Sequence, residues 1–258
     1  MNNEGSLTHI DLFSGIGGFS LASHWAGFQT VAFCEKDNWC QQVLRKHWPE
    51  VPIHGDIRDF PGSLYRGATL LTGGFPCQPF SQCGKRRGKT DDRWLWDSML
   101  EVIKDIRPNW CVLENVPNVI KMAFPTVIAD LEKAGFRSAV FLLPAHGVGA
   151  PHRRRRAFVV AESLDPHPDS LRPHREKMHA DCDCDGSEFR DQQERLFRQV
   201  VPASVWESID PGVLGVADGL SEGVDKDRDK RLKGIGNAVV PQLIYQILKP
   251  IADVEIVE

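Results

Sequence analysis

The sequence predicts a doubly wound α/β sheet, and three observations carry that prediction. Short apolar runs alternate with amphipathic stretches from residue 8 to residue 161. Glycine-rich turns follow two of the apolar runs, at residues 14–19 and at Gly73-Gly74. Chemically distinctive side chains, Glu35, Cys77 and Glu114, stand at the carboxyl ends of runs, the edge on which open α/β sheets bind ligands.

Residues 9–13 form the first expected strand. They run into Ser14-Gly15-Ile16-Gly17-Gly18-Phe19, after which a helix carries Leu21, Ala22 and Trp25 inward and stops at Gly27. Strand, glycine turn and helix together bring backbone N–H groups and a helix N-terminus to a ligand. The third glycine of the dinucleotide fingerprint is absent, and there is no lysine-containing phosphate loop. Residues 30–34 form a second strand ending at Glu35, 20 residues after Gly15. At that interval a carboxylate accepts ribose hydroxyls, although an acid just ahead of a helix at residues 38–47 also suits the helix dipole. Asp56 and Ile57 end a third short strand, where Asp56 either accepts an adenine amine or caps a turn.

Residues 69–72 are a buried strand that enters Gly73-Gly74-Phe75-Pro76-Cys77-Gln78-Pro79-Phe80-Ser81. Pro76 and Pro79 stiffen the loop on either side of Cys77. A cysteine in such a turn reads alone as a structural thiol; on a rigid loop at a strand's carboxyl end it reads as a nucleophile. Residues 82–93 are a polar, basic loop suited to closing over that site. A helix at 94–106 follows, its Trp and Met residues read as core, then a strand at 110–113 carrying Glu114-Asn115-Val116 at its end. A helix at 126–133 and strands at 139–143 and 157–160 complete the sheet, with His152 and Arg153-Arg154-Arg155-Arg156 before the last strand. Composition turns polar at Glu162. The chain therefore divides into 1–161 plus 231–258, one sheet-based domain, and 162–230, a small region. That region holds Cys182 and Cys184 with His167, His174 and His179 nearby, but C-x-C with scattered histidines is no established zinc spacing, and no metal is expected. A helix at 242–251 is placed to pack back on the first domain.

The 258 residues carry a net charge of −4, so composition alone does not favour nucleic acid. Positive charge is nonetheless gathered at 85–89 and 153–156. The seven cysteines are odd in number and irregularly spaced, which fits reduced thiols and a cytoplasmic setting. No apolar run approaches the roughly 20 residues of a membrane helix, and the first residues lack a signal pattern.

Taken together, these motifs resemble those of the C5-cytosine DNA methyltransferases, of the short kind found in phage and restriction–modification systems. Agreement runs from about residue 8 to 161 and from 231 to 251. The resemblance implies a Rossmann-like methyltransferase sheet with a small target-recognition domain at 162–230. It implies S-adenosylmethionine as cofactor, with S-adenosylhomocysteine as product, held by Phe13, Gly15, Gly17, Gly18, Glu35, Asp56, Ile57, Phe75 and Asn237. It implies Cys77, Glu114 and Arg154 as catalytic residues. Ser81, Lys85, Arg86, Arg87, Lys89 and Arg156 are then expected on DNA. His152 stands where the family has glutamine, and the family's arginine-glutamate element before the last motif is not recognisable.

The implied chemistry is transfer of a methyl group to C5 of a flipped-out cytosine in duplex DNA, through a covalent bond from Cys77 to C6. Expected partners are duplex DNA and a separately acting restriction endonuclease; the chain is expected to be a monomer without membrane contact. The same chemistry on tRNA cytosine, a DNA-binding protein that has lost catalysis, and a dinucleotide oxidoreductase are the competing readings. The last leaves the Cys77 loop unexplained.

Overall fold

The computed structural model describes residues 6–76, 95–150, 154–165 and 228–256. Along the chain these residues form β1 (Thr8–Leu12), α1 (Gly18–Ala26), β2 (Gln29–Cys34), α2 (Asn38–His47), β3 (Ile53–His54), β4 (Leu70–Gly73) and α3 (Trp96–Ile106). There follow β5 (Trp110–Asn115), α4 (Val119–Met122), α5 (Phe124–Lys133), β6 (Phe136–Pro144), β7 (Arg155–Ser163), α6 (Arg228–Asn237) and α7 (Pro241–Ile256). The strands make one sheet in the order β3-β2-β1-β4-β5-β7-β6. Strands β1 to β5 pair in parallel, and β7 runs antiparallel to both β5 and β6. The doubly wound sheet expected from the alternating pattern is thus present, mainly parallel and antiparallel at one side.

Both faces of the sheet are covered. On one, Ile10, Leu12 and Leu71 pack with Trp96, Met99, Ile103 and Phe124 from the helices between β4 and β6. On the other, Leu70 and Val112 meet Phe19 and Ala22 of α1 and Leu243, Ile244 and Leu248 of α7. Trp96 and Met99 are fully buried, as a core reading of that helix requires. The expectation for α1 is corrected in part. Ala22 is buried, but Leu21 and Trp25 remain 37 % and 45 % exposed. The buried face is instead Phe19, Ser20, Ala22, Ser23 and Ala26. Small side chains let α7 lie close along α1, so the larger apolar residues turn outward.

Register explains how the sheet assembles one edge. Leu12 is level with Cys34 on one side and with Gly73 on the other, and Gly73 is level with Leu113. Phe13, Glu35 and Gly74 consequently leave their strands level with Glu114, which is still within β5. Strand order reverses between β1 and β4, so the loops after these two strands diverge and open a crevice there. Reversal of β7 has a separate consequence. Its first residues, not its last, lie on this edge, with Asn115 opposite Ala157 and Glu114 opposite Phe158. The arginine run is delivered beside Glu114 for that reason.

The C-terminal helix runs five residues beyond the expected 242–251, passing through Pro250. Its extension ends on Glu255, which is 5 % exposed. The Glu255 carboxylate accepts hydrogen bonds from Asn109 Nδ2 (2.9 Å) and Trp110 Nε1 (2.8 Å) at the start of β5. Glu255→Ala should leave those two donors without this acceptor and cost about 1–3 kcal/mol. Urea unfolding would measure it; an unchanged midpoint would remove Glu255 as the anchor of α7.

Candidate active site

A cavity of about 940 Å3 opens along the edge described above. The loop after β1 forms its floor. Phe13 adopts a left-handed conformation (φ 54°), which is uncommon outside glycine and marks a constrained turn. Gly17 is also left-handed (φ 86°), and a Cβ there would lie 2.6 Å from the Trp48 ring. At Gly18 a Cβ would lie 2.9 Å from Val239 Cγ2, so the glycine admits the chain leading into α7. Phe13, Gly15 and Gly18 line the cavity.

Glu35 and Asp56 flank the same space. Glu35 joins two segments: its Oε2 accepts from Gly15 N and its Oε1 from Asp37 N, each at 2.7 Å. A carboxylate oxygen has a second acceptor site, so both remain competent toward a hydroxyl. Asp56 caps the short 3₁₀ turn Ile57–Asp59, accepting from Arg58 N, and pairs with Lys36 Nζ at 3.1 Å. The Arg58 N–H and the Lys36 ammonium hold its carboxyl below the usual aspartate value. Asp56 is thus the turn cap of one sequence reading, and it also lines the cavity. Ile57 lines the cavity too. The remaining wall comes from Asn237, Ala238 and Val239, with Gly234 pressed against Trp39.

At the opposite end, Gly74, Pro76, Glu114 and Arg156 close the cavity. Glu114 is 9 % exposed. Its Oε1 lies 2.8 Å from Arg156 Nε. Burial raises the Glu114 pKa above the ordinary glutamate value, while Arg156 and then Arg154 draw it back. The two arginines make contacts that the motif did not specify. Arg156, expected to be structural or on phosphate, is the partner of Glu114. Arg154, expected at the reacting base, gives its Nη2 hydrogen bond to the Ala238 carbonyl at 2.8 Å. Their order follows from β7, whose antiparallel course carries Arg156 onto the end of β5.

Phe75 is a further correction. It is 2 % exposed and packs on Trp96, with ring centroids 5.5 Å apart, so its ring belongs to the core and not to the cavity. Its carbonyl accepts from Asn115 Nδ2 at 2.9 Å, which ties the loop after β4 to the end of β5. Cys77, Ser81, Lys85, Arg86, Arg87, Lys89 and His152 lie outside the described residues, as do Cys182, Cys184 and their neighbouring histidines. Cys34, Cys40 and Cys111 are buried free thiols. Burial, and to a lesser degree Glu35, pushes the first two up to about 12, and burial pushes Cys111 higher still. None of these three is poised as a thiolate at neutral pH.

Beneath the glycine loop lies a polar chain that periodicity did not single out. His9 and Asp11 are fully buried on β1. His9 contacts Thr30 Oγ1 through Nδ1 (2.9 Å) and Thr72 Oγ1 through Nε2 (2.8 Å). Thr72 donates to Asp11 Oδ1 (3.1 Å), and Ser20 of α1 donates to Asp11 Oδ2 (2.8 Å). The signal was present: two polar residues spaced i, i+2 in an otherwise apolar strand share one face and need partners.

Known proteins resemble this chain in sequence and in fold. The family model described as C-5 cytosine-specific DNA methylase matches residues 7–197. The type II methyltransferase M2.BsuMI of Bacillus subtilis is 33 % identical over 189 residues, 69 % of this chain and 46 % of the relative. M.NgoMIV of Neisseria gonorrhoeae is 34 % identical over 179 residues, 65 % of this chain and 57 % of the relative. The chain spans about half the length of these curated relatives. The solved structure of the S. pombe Dnmt2 methyltransferase shares the fold, with TM-score 0.63 and 14 % identity over 96 % of this chain and 98 % of that one. With a cavity of this construction and a family match over most of its length, the chain belongs to the C-5 cytosine-specific DNA methylases.

Proposed function

We propose that the protein transfers the methyl group of S-adenosylmethionine to C5 of a cytosine extruded from duplex DNA, through a covalent bond between Cys77 and C6. The observation that carries this reading is a single cavity with two differently furnished ends. One end offers the glycine loop, Glu35 and Asp56; the other offers the Glu114–Arg156 pair and Pro76, the residue bonded to Cys77. A volume of about 940 Å3 is at the upper end for small-ligand sites, enough for a nucleoside-based donor and an extruded base together.

The residues present fit that donor. Glu35 and Asp56 are the acceptors for an adenosine, Gly15, with open space where a Cβ would lie, lets the backbone approach it while Gly17 and Gly18 let the turn pack on Trp48 and Val239, and Asn237 with Val239 covers it. When bound, S-adenosylmethionine supplies an electrophilic methyl group. The chain's own part is to make cytosine C5 nucleophilic. The Cys77 thiolate adds at C6, and the electron pair displaced from the 5,6 double bond moves toward N3 and O2. Glu114, kept protonated more readily by burial, gives a proton to N3 and accepts from the 4-amino group. Arg156 meets the charge developing at O2. Once C5 carries the methyl, a water takes the C5 proton, the Cys77 sulfur leaves as thiolate to restore the 5,6 double bond, and the N3 proton returns to Glu114. Extrusion of the base comes first, because C6 is inaccessible to a thiol within the stack.

Lys85, Arg86, Arg87 and Lys89 are proposed to hold phosphates, and 162–230 to read sequence in the major groove. The experiment is transfer of labelled methyl from S-adenosylmethionine to duplex DNA and, in parallel, to tRNA. Wild type should label duplex DNA, and Cys77→Ala should reduce labelling to background. Equal transfer by the two proteins would falsify the covalent route, and preference for tRNA would replace the DNA substrate.

A further inference from the structure

We propose that Arg154 is a positioning residue that pins the C-terminal wall of the cavity against the glycine loop and thereby sets affinity for the methyl donor. This rests on the reading above, since it names a determinant of the same site. The segment concerned runs from Gly234 to Val239. At its start, Gly234 fits against Trp39 and Ile16 so closely that a Cβ would lie 2.7 Å and 3.2 Å from their side chains. At its end, Val239 fills the space that a side chain at Gly18 would occupy. Between them, Ala238 N closes the last turn of α6 on the Gly234 carbonyl at 3.0 Å. The Ala238 carbonyl receives Arg154 Nη2 at 2.8 Å.

The hydrogen bond therefore connects the residue just before β7, a strand of the sheet, to a wall separated from it by more than 80 residues of chain. Arg154 is itself fixed, because its carbonyl accepts from Ala145 N at 3.0 Å. Its Nε is buried and has no partner among the described residues. Among the described residues the Ala238 carbonyl is thus the hydrogen-bond partner of this side chain. Arginine keeps its charge under these conditions, so the bond is charge-assisted. Two residues further on, Arg156 serves the other end of the cavity. One short run thus steadies the donor's wall with Arg154 and the base's carboxyl with Arg156.

The test is calorimetric titration of purified protein with S-adenosylhomocysteine in the absence of DNA, together with steady-state kinetics on duplex DNA. Arg154→Met should bind the product about 10-fold more weakly, the equivalent of one lost charge-assisted hydrogen bond. KM for S-adenosylmethionine should rise by a similar factor, with kcat at saturating donor within about 3-fold of wild type. Arg154→Lys should recover part of the loss, and Arg156→Met should leave product binding near wild type. Val239→Ala should weaken binding as well, and combining it with Arg154→Met should add little, because both act through one wall. Wild-type binding by Arg154→Met, or a loss confined to kcat, overturns the proposal. If Arg154→Met does not fold, full additivity of Arg154→Lys with Val239→Ala overturns it instead. Absence of product binding by wild type would count against the proposed function itself, a result distinct from either.

Discussion

Glu114→Gln is expected to lower methyl transfer about 100- to 1000-fold while S-adenosylhomocysteine binding stays within a factor of two or three. The substitution keeps the shape of the side chain and both polar atoms, so the base can still be held at N3 and at its amino group. What it removes is a proton that can be given up. Glu114 is buried, and burial favours its neutral form over the usual glutamate behaviour. Arg156 at 2.8 Å favours the charged form, but the net direction is upward. A protonated Glu114 therefore persists to higher pH than an exposed glutamate would. Wild-type kcat should carry an alkaline limb as this proton is lost, and Glu114→Gln should lack that limb. Single-turnover rates at saturating DNA, followed across pH, provide the measurement. A variant with nearly wild-type rates would mean that Glu114 holds the base without supplying a proton.

The sheet was readable because its signals are local. Apolar runs, glycine turns and the spacing from Gly15 to Glu35 each lie within a few residues of chain, and the register then brings their ends level. The direction of β7 is a different kind of property. It depends on which neighbour the strand pairs with, and a run such as Ala157-Phe158-Val159-Val160 looks the same in either direction. The assignment of Arg154 and Arg156 rested on the order of residues in a motif, which does not say which arginine the strand pairing brings to Glu114. Phe75 was misplaced for a similar reason: an aromatic beside a ligand loop can turn toward Trp96 as readily as toward the cavity, and only packing decides. Leu21 and Trp25 face outward because the partner helix α7, distant in sequence, prefers a surface of small residues.

Replacing His9 by phenylalanine is expected to change the pH dependence of stability in one direction, and replacing Asp11 by asparagine in the other. Both groups are fully buried, so each resists its charged form. Burial lowers His9 to about 3 and raises Asp11 to about 7. The hydrogen bonds fit a neutral ring with one proton. Thr72 donates its hydroxyl to Asp11, so it accepts from His9 Nε2, which leaves Nδ1 to accept from Thr30. Unfolded histidine binds a proton below about 6.5 that folded His9 does not, so its contribution is full above that pH and is lost as pH falls toward 3. Folded Asp11 keeps a proton that the unfolded chain releases above about 3.9, so its contribution is full below that pH and is lost as pH rises toward 7. Between about pH 4 and 6.5 the two slopes oppose each other, and the pair makes stability nearly independent of pH. Removing one partner exposes the other. Relative to wild type, His9→Phe should lose roughly 1.4 kcal/mol per pH unit on going up through this window, and Asp11→Asn should gain about as much. Urea midpoints at pH 4.5, 5.5 and 6.5 supply the comparison, because all other titrating groups cancel in the difference. Parallel curves for the three proteins would mean that neither group meets the desolvation its burial implies, and that water reaches the strand beneath the glycine loop.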